Sequence, residues 1–318
     1  MLTHLIHNDE VIPVVNYRKL VPFFSPSYLR MVIDEREYDG SISVTQCLRC
    51  PREVLFRMFF DYAVDPASMV FMIVGTKGHA KLEDNAVSEY QEEQLAMDLD
   101  TVKLKGIADL VFMEDGKHTL ADYKTWGSYA VAKSFGIVSA KRPAVDSDGV
   151  PLTYKRSGYG YKAGQPKMET YYYEDPEKGD MFNVTMQTNM YRIMFEAQHG
   201  IKISKIRLYV IVRDGGLQVA TSRGVFYNTY AKEISMLDDM EVSSYFKERA
   251  TMLKEYIDEY SFLNKEKIVE NPPPFGNERE LLGGWACEKG CSVAPICAMC
   301  TMHPPKADYT KAILVDSF

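Results

Sequence analysis

Positive charge is in deficit. The 318-residue chain carries 37 Lys and Arg against 44 Asp and Glu, a net charge of −7. Holding nucleic acid by bulk charge is thereby excluded, although a local basic patch is not. Long apolar runs are missing as well: no uninterrupted stretch approaches the ~20 residues that cross a bilayer. The opening segment MLTHLIHNDEVIPVV has acidic residues and no basic stretch leading into an apolar core. No secretory leader is expected from it, and the expected compartment is the cytoplasm, without membrane association. There is no P-loop of the GxxxxGK[ST] type, so any helicase motor would be a separate chain. Internal repeats and low-complexity tracts are also lacking. What is present, 46% hydrophobic and 25% charged residues, is the composition of an ordinary globular protein.

Cysteine is sparse but grouped. Six residues fall into two sets, Cys47 with Cys50, and Cys287, Cys291, Cys297 and Cys300. In a reducing compartment such sets read as metal ligands more often than as disulfides. The run CEKGCSVAPICAMC places four thiols within 14 residues among turn-forming Gly and Pro. Thiolates favour zinc or an iron–sulfur cluster. One thiol from the first set and three from the second would clip the two ends of the chain together. Some of the six would then be surplus, and Cys47 and Cys300 read equally well as small buried hydrophobes.

Residues 1–42 read as an irregular lead-in. From Ser43, apolar residues recur at three- and four-residue steps, as on a helix, with Pro51 early in a helix or at a joint between two. A second helix is expected from Val74 to about Tyr90. VKLKGIADLVF and HTLADYKT, joined by Glu114-Asp115-Gly116-Lys117, read as a β-hairpin. Residues 127–180 form a long turn-rich stretch, in which Lys133 to Lys167 hold seven basic residues against Asp146 and Asp148. Such lengths are uncommon unless functional or disordered. A helix over 183–199, strands over 205–213 and 217–223, and a long helix over 228–260 complete the reading.

The hairpin holds the chemistry. Asp109 lies within Ile107–Val111, and Asp122 and Lys124 within Leu120–Lys124. A charge inside apolar strands is costly unless paired or bound to a metal. Side chains alternate along a strand, so Asp122 and Lys124 share one face and Tyr123 takes the other. The short turn folds Asp109 beside them. Carboxylates so arranged suit Mg²⁺ or Mn²⁺; a buried ion pair between Lys124 and one aspartate accounts for the same pattern. His79 and Glu83 stand at i and i+4 on the preceding helix, as do Gln187 and Tyr191 on a later one.

Taken in order, Cys50-Pro51-Arg52, Gly75 to His79 with Glu83, Gly106-Ile107-Ala108-Asp109, Asp122-Tyr123-Lys124, Gln187-Thr-Asn-Met-Tyr191 and the C-terminal cysteines resemble the RecB-type branch of the PD-(D/E)xK nuclease superfamily. The similarity is to its iron–sulfur members, which include CRISPR-adaptation nucleases, the AddB nuclease domain and phage exonucleases, and it spans roughly residues 43–300. Two features depart from that pattern: Cys287 and Cys291 are separated by three residues where the family has two, and Cys47 and Cys300 are extra.

The resemblance implies an α/β fold with a PD-(D/E)xK restriction-endonuclease-like core. That core is a central mixed sheet flanked by helices, in a single nuclease domain over 43–318, with a Cys-ligated cluster joining its N- and C-terminal segments. It implies metal-dependent exonucleolytic hydrolysis of single-stranded DNA or DNA ends, in recombination, repair, phage DNA processing or CRISPR adaptation. His79, Asp109, Asp122 and the Tyr123 carbonyl would hold Mg²⁺ or Mn²⁺, with Glu83 as an outer ligand. Lys124 would orient water, and Gln187 and Tyr191 the strand. Cys50, Cys287, Cys291 and Cys297 would ligate a structural [4Fe–4S] cluster, with Zn²⁺ as the alternative. Partners would be DNA, a separate helicase or recombination protein, and further copies of the chain. A non-catalytic or endonucleolytic DNA-binding subunit is the rival reading. A basic rim of Lys133, Lys141, Arg142, Lys155 and Arg156 could bind phosphates, and Tyr159 and Tyr161 could stack on bases or pack within the loop.

Overall fold

The computed structural model describes residues 2–264 apart from 9, 35–37, 84–87 and 89, together with 267 and 268; of 76, 77 and 79–83 it describes the helical backbone alone. The elements in order are β1 (Leu2–His7), β2 (Glu10–Pro13), α1 (Pro26–Ile33), β3 (Ile42–Ser43), α2 (Val44–Cys47), α3 (Pro51–Phe59), β4 (Tyr62–Val64) and α4 (Val70–Glu83). Then come β5 (Tyr90–Leu99), β6 (Val102–Glu114), β7 (Lys117–Trp126), α5 (Ser128–Phe135), β8 (Ile137–Pro143) and β9 (Met168–Glu174). The last are α6 (Phe182–His199), β10 (Ile203–Val212), α7 (Gln218–Thr221), β11 (Thr229–Ile234) and α8 (Asp239–Tyr260).

A mixed sheet with strand order β11-β10-β7-β6-β3 forms the centre, and β5 also pairs with β6. The β3–β6 pairing is parallel and the β5–β6 pairing antiparallel. The chain divides into two compact units, one from the described parts of 1–120, 186–206 and 236–268, the other from 121–185 and 207–235.

In the first unit the expected irregular lead-in is instead structured. β1 pairs antiparallel with β2 and parallel with β4, some sixty residues on. Helix α1 starts at Ser25, whose hydroxyl accepts from the Tyr28 N–H (3.3 Å), with Pro26 in the first turn. It buries Leu29 and Val32 against Leu5, Ile12, Leu20 and Tyr62. Ser43 and Gln46 close a reciprocal cap on α2, and Pro51 opens α3, where its missing N–H costs nothing. Helix α8 packs on α2 and α3 through Val242, Phe246, Ala250, Leu253 and Ile257, at helical spacing.

Three other expectations fail locally. The helix expected from Val74 to Tyr90 starts at Val70, and Tyr90 opens β5, which pairs with β6 from Tyr90↔Val111 to Leu99↔Val102. Leu95, Met97 and Leu99 of β5 alternate with the exposed Gln94, Ala96 and Asp98, whereas Tyr90 to Glu93 show no alternation. The strand expected over 217–223 is the short helix α7, and the strand next to β10 is β11. Helix α8 begins at Asp239 rather than 228, because the Asp238 carboxylate accepts from the Met240 and Glu241 N–H groups and caps it there.

In the second unit the long stretch over 127–180 forms α5 and a two-stranded ribbon, β8 with β9, registered from Ile137↔Glu174 to Pro143↔Met168.

Candidate active site

The turn between β6 and β7 uses Asp115 (φ 50°) and Gly116 (φ 73°). Two successive left-handed residues are what a two-residue hairpin turn requires, and Asp-Gly supplies them with least strain. β7 then runs inward: Thr119, Leu120, Ala121 and Asp122 are all buried. Asp122 is 1% exposed, and the Lys124 ammonium lies 2.9 Å from Oδ1 and 2.8 Å from Oδ2. The ammonium thus contacts both carboxylate oxygens, with a hydrogen bond to Oδ1 and an ion pair to Oδ2. The Tyr123 ring takes the other face and stacks on Tyr209 of β10 at 5.8 Å between centroids. Asp122 and Lys124 therefore share a face as the strand period predicts.

In the first unit, Asp109 sits half-buried on β6 between the buried Ala108 and Leu110. Gly106 precedes it by three residues, and a Cβ there would lie 2.5 Å from Cε1 of Tyr191. The glycine is thus the seat of the Tyr191 ring on β6. Tyr191 is 5% exposed, and its hydroxyl accepts a hydrogen bond from Gln187 Nε2 at 2.9 Å. The pair is one unit on α6, with the tyrosine buried and the amide half-buried above it. His79 and Glu83 lie on α4, but their side chains are outside the described residues. Among the described residues no three His, Cys, Asp or Glu side chains group as ion ligands.

Cys50 is the residue before α3, at the N-terminal end of that helix, and is partly exposed. Cys47 is fully buried, and burial pushes its thiol up to about 12, so it serves as a small hydrophobe. Arg249, itself 7% exposed, donates to the carbonyls of Cys47 (Nε, 3.0 Å) and Arg49 (Nη2, 2.8 Å). It holds the segment that leads into Cys50. Its signal in the sequence is a cation on the apolar stripe of α8. Cys287, Cys291, Cys297 and Cys300 lie outside the described residues.

The second unit collects cations on one cavity of about 330 Å³, lined by Lys133, Lys178 and Arg223 with Tyr129 and Tyr172. No carboxylate lines it. Lys133 and Lys178 pair with Asp180 and Asp175 at 3.1 and 3.6 Å, exposed contacts that phosphate could displace at little cost. Asp214, also missed from sequence, accepts from the Ser128 N–H and hydroxyl, each at 2.6 Å, and so caps α5. Burial raises the Asp214 carboxyl, but the two Ser128 bonds and the Arg223 charge outweigh it and leave the group below its ordinary value. Of the expected basic rim, Arg142 is tied to Glu169 at 2.7 Å. Tyr161 is stacked on Tyr154 at 4.0 Å, which makes it a packing residue, whereas Tyr159 is fully exposed.

No family model matches the chain, and no curated protein does. Among solved structures it is similar to one described as the crystal structure of SSO0001, at 16% identity, covering 89% of this chain and 96% of that one with a TM-score of 0.39.

Proposed function

We propose that this chain is a divalent-metal-dependent DNA nuclease of the PD-(D/E)xK type, acting as an exonuclease on single strands or DNA ends. The observation that carries the reading is the Asp122–Lys124 pair on one face of β7, a carboxylate 1% exposed with the Lys124 ammonium 2.9 and 2.8 Å from its two oxygens. One ammonium meets only part of the lone-pair capacity of a carboxylate buried to that degree, and a hard cation is a partner suited to the rest. A buried ion pair with Lys124 accounts for the same contact, and metal-dependent cleavage that is lost in Asp122→Asn separates the two readings.

In the proposed site Asp122 and Asp109, with His79 and the Tyr123 carbonyl, would hold Mg²⁺ or Mn²⁺, with Glu83 as an outer ligand. When bound, such an ion supplies a Lewis acid and a nucleophilic water at neutral pH. Lys124, beside Asp122, would orient the attacking water and stabilise the charge that grows on the phosphate oxygens. Gln187, held by Tyr191, orients the strand. The cations on the second-unit cavity supply phosphate contacts that the net charge of −7 does not. Cys50 with Cys287, Cys291 and Cys297 forms a thiol set suited to a structural [4Fe–4S] cluster or Zn²⁺, with no redox part in the cut.

Digestion of end-labelled single- and double-stranded oligonucleotides with Mg²⁺, Mn²⁺ or EDTA tests the reading. Metal-dependent cleavage that Asp122→Asn abolishes is expected. Cleavage that persists in EDTA, or in that variant, overturns it.

A further inference from the structure

The ribbon β8–β9 ends in a loop that the proposed catalytic machinery leaves unused. Residues 149–168 carry Lys155, Arg156, Lys162 and Lys167 and no acidic residue, on a chain of net charge −7. Lys167 covers the Tyr154 ring at 5.7 Å. Lys155, Arg156 and Lys162 are exposed and make no ion pair among the described residues.

The loop is held by a backbone ladder. Leu152 donates to Ala144 (2.7 Å), Lys167 to Leu152 (2.8 Å), Tyr154 to Gln165 (3.0 Å) and Gly164 to Tyr154 (2.9 Å). At its apex Gly158 and Tyr161 exchange N–H···O bonds of 3.1 and 3.3 Å. Tyr159 and Gly160 are the central residues of that turn, and Gly160 takes φ 83°, the left-handed value that the second central position of a type II turn requires. A Cβ at Gly158 would meet the Tyr161 ring at 2.4 Å, so that ring lies flat beneath the turn and stacks on Tyr154. The result is one aromatic ring, Tyr159 at 105% relative exposure, presented on a braced corner between unpaired cations.

We infer that this apex is a grip for single-stranded nucleic acid, with Tyr159 stacking on a base and Lys155, Arg156 and Lys162 holding flanking phosphates. A bare aromatic among cations is the pattern that binds unpaired strands with little sequence preference. Bracing by the Tyr154–Tyr161 stack lowers the ordering cost of binding. The exposed apolar residues Val145, Val150, Leu152 and Met168 lie toward the strands, whereas the apex holds glycine, tyrosine and cations. A membrane-inserting tip would reverse that order. The choice of DNA as the strand rests on the proposed nuclease activity; the binding does not.

Anisotropy of a labelled oligo-dT with the full chain in EDTA tests it, since no cutting occurs there. Tyr159→Ala is expected to weaken binding about 5- to 150-fold and Tyr159→Phe to restore it. Lys155→Ala/Arg156→Ala/Lys162→Ala should flatten the log–log salt slope by about 2, at roughly 0.7 per phosphate contact on a single strand. Blunt duplex should bind Tyr159→Ala as it binds the parent. Unchanged oligo-dT binding in both variants, an equal loss on duplex, or binding that moves to phosphatidylserine vesicles instead of oligo-dT overturns the inference. Asp122→Asn should keep full binding while cutting is lost, so failure of the nuclease reading and failure of the grip are told apart.

Discussion

The Tyr191 ring occupies the space that any side chain at position 106 would need: a Cβ on Gly106 would sit 2.5 Å from its Cε1. Helix α6 therefore meets β6 where Tyr191 lies over Gly106, and the Gln187 amide is bonded to the hydroxyl of that same ring.

Gly106→Ala should force the ring out of place. Overpacking of this kind costs about 1–3 kcal/mol, read by urea denaturation, and nuclease activity should fall with it. Tyr191→Ala removes the obstacle, so Gly106→Ala added to Tyr191→Ala should cost much less than Gly106→Ala alone. Additive losses in that double-mutant cycle would show that the contact is not the cause.

Lys124 and Asp122 couple in the same way. Lys124→Met leaves a carboxylate 1% exposed without its cation, a change that costs about 3–5 kcal/mol in buried pairs. Asp122→Asn/Lys124→Met should recover most of that loss. Added Mg²⁺ should raise the melting temperature of the parent and of Lys124→Met but not of Asp122→Asn. Equal Mg²⁺ responses in all three would leave a plain ion pair.

Asp214 gives a pH signature. Its carboxyl is depressed in the folded chain, so its contribution is complete above the unfolded value of about 4 and fades as pH falls through the lower folded value. Asp214→Asn should cost about 1 kcal/mol near neutrality, as lost helix caps do. The gap in melting temperature between parent and variant should stay constant from about pH 6 to 8 and close in acid. A gap that widens in acid contradicts the capping role.

Protein purified without oxygen should be brown, with absorption near ~400 nm from thiolate-bound iron. Cys291→Ala and Cys50→Ser should each bleach it, whereas Cys47→Ala should not, because that thiol is buried and protonated. Iron retained in stoichiometric amount by either ligand variant would remove that cysteine from the set. A colourless protein holding zinc would select the alternative metal.

Much of the hairpin could be read from residues alone. Asp-Gly specifies its turn, apolar residues on both faces mark central strands, and a period of two places Asp122 and Lys124 on one side. Helix α6 was equally plain, its buried Val184, Met186, Met190, Tyr191 and Met194 falling at helical steps. β5 was not, since its first four residues show no alternation and are held in the strand by pairing with β6. The capping carboxylates of Asp214 and Asp238 decide where α5 and α8 begin, and neither follows from hydrophobic period.

Short-range chemistry was thus enough for turns, helix stripes and strand faces, because each depends on residues only a few positions apart. Chain segments far apart in number settle the rest: β1 against β4, Tyr191 on Gly106, Arg249 on the carbonyls before Cys50. Such contacts form only where packing brings distant surfaces to van der Waals distance, and no local pattern of residues encodes which surfaces those are.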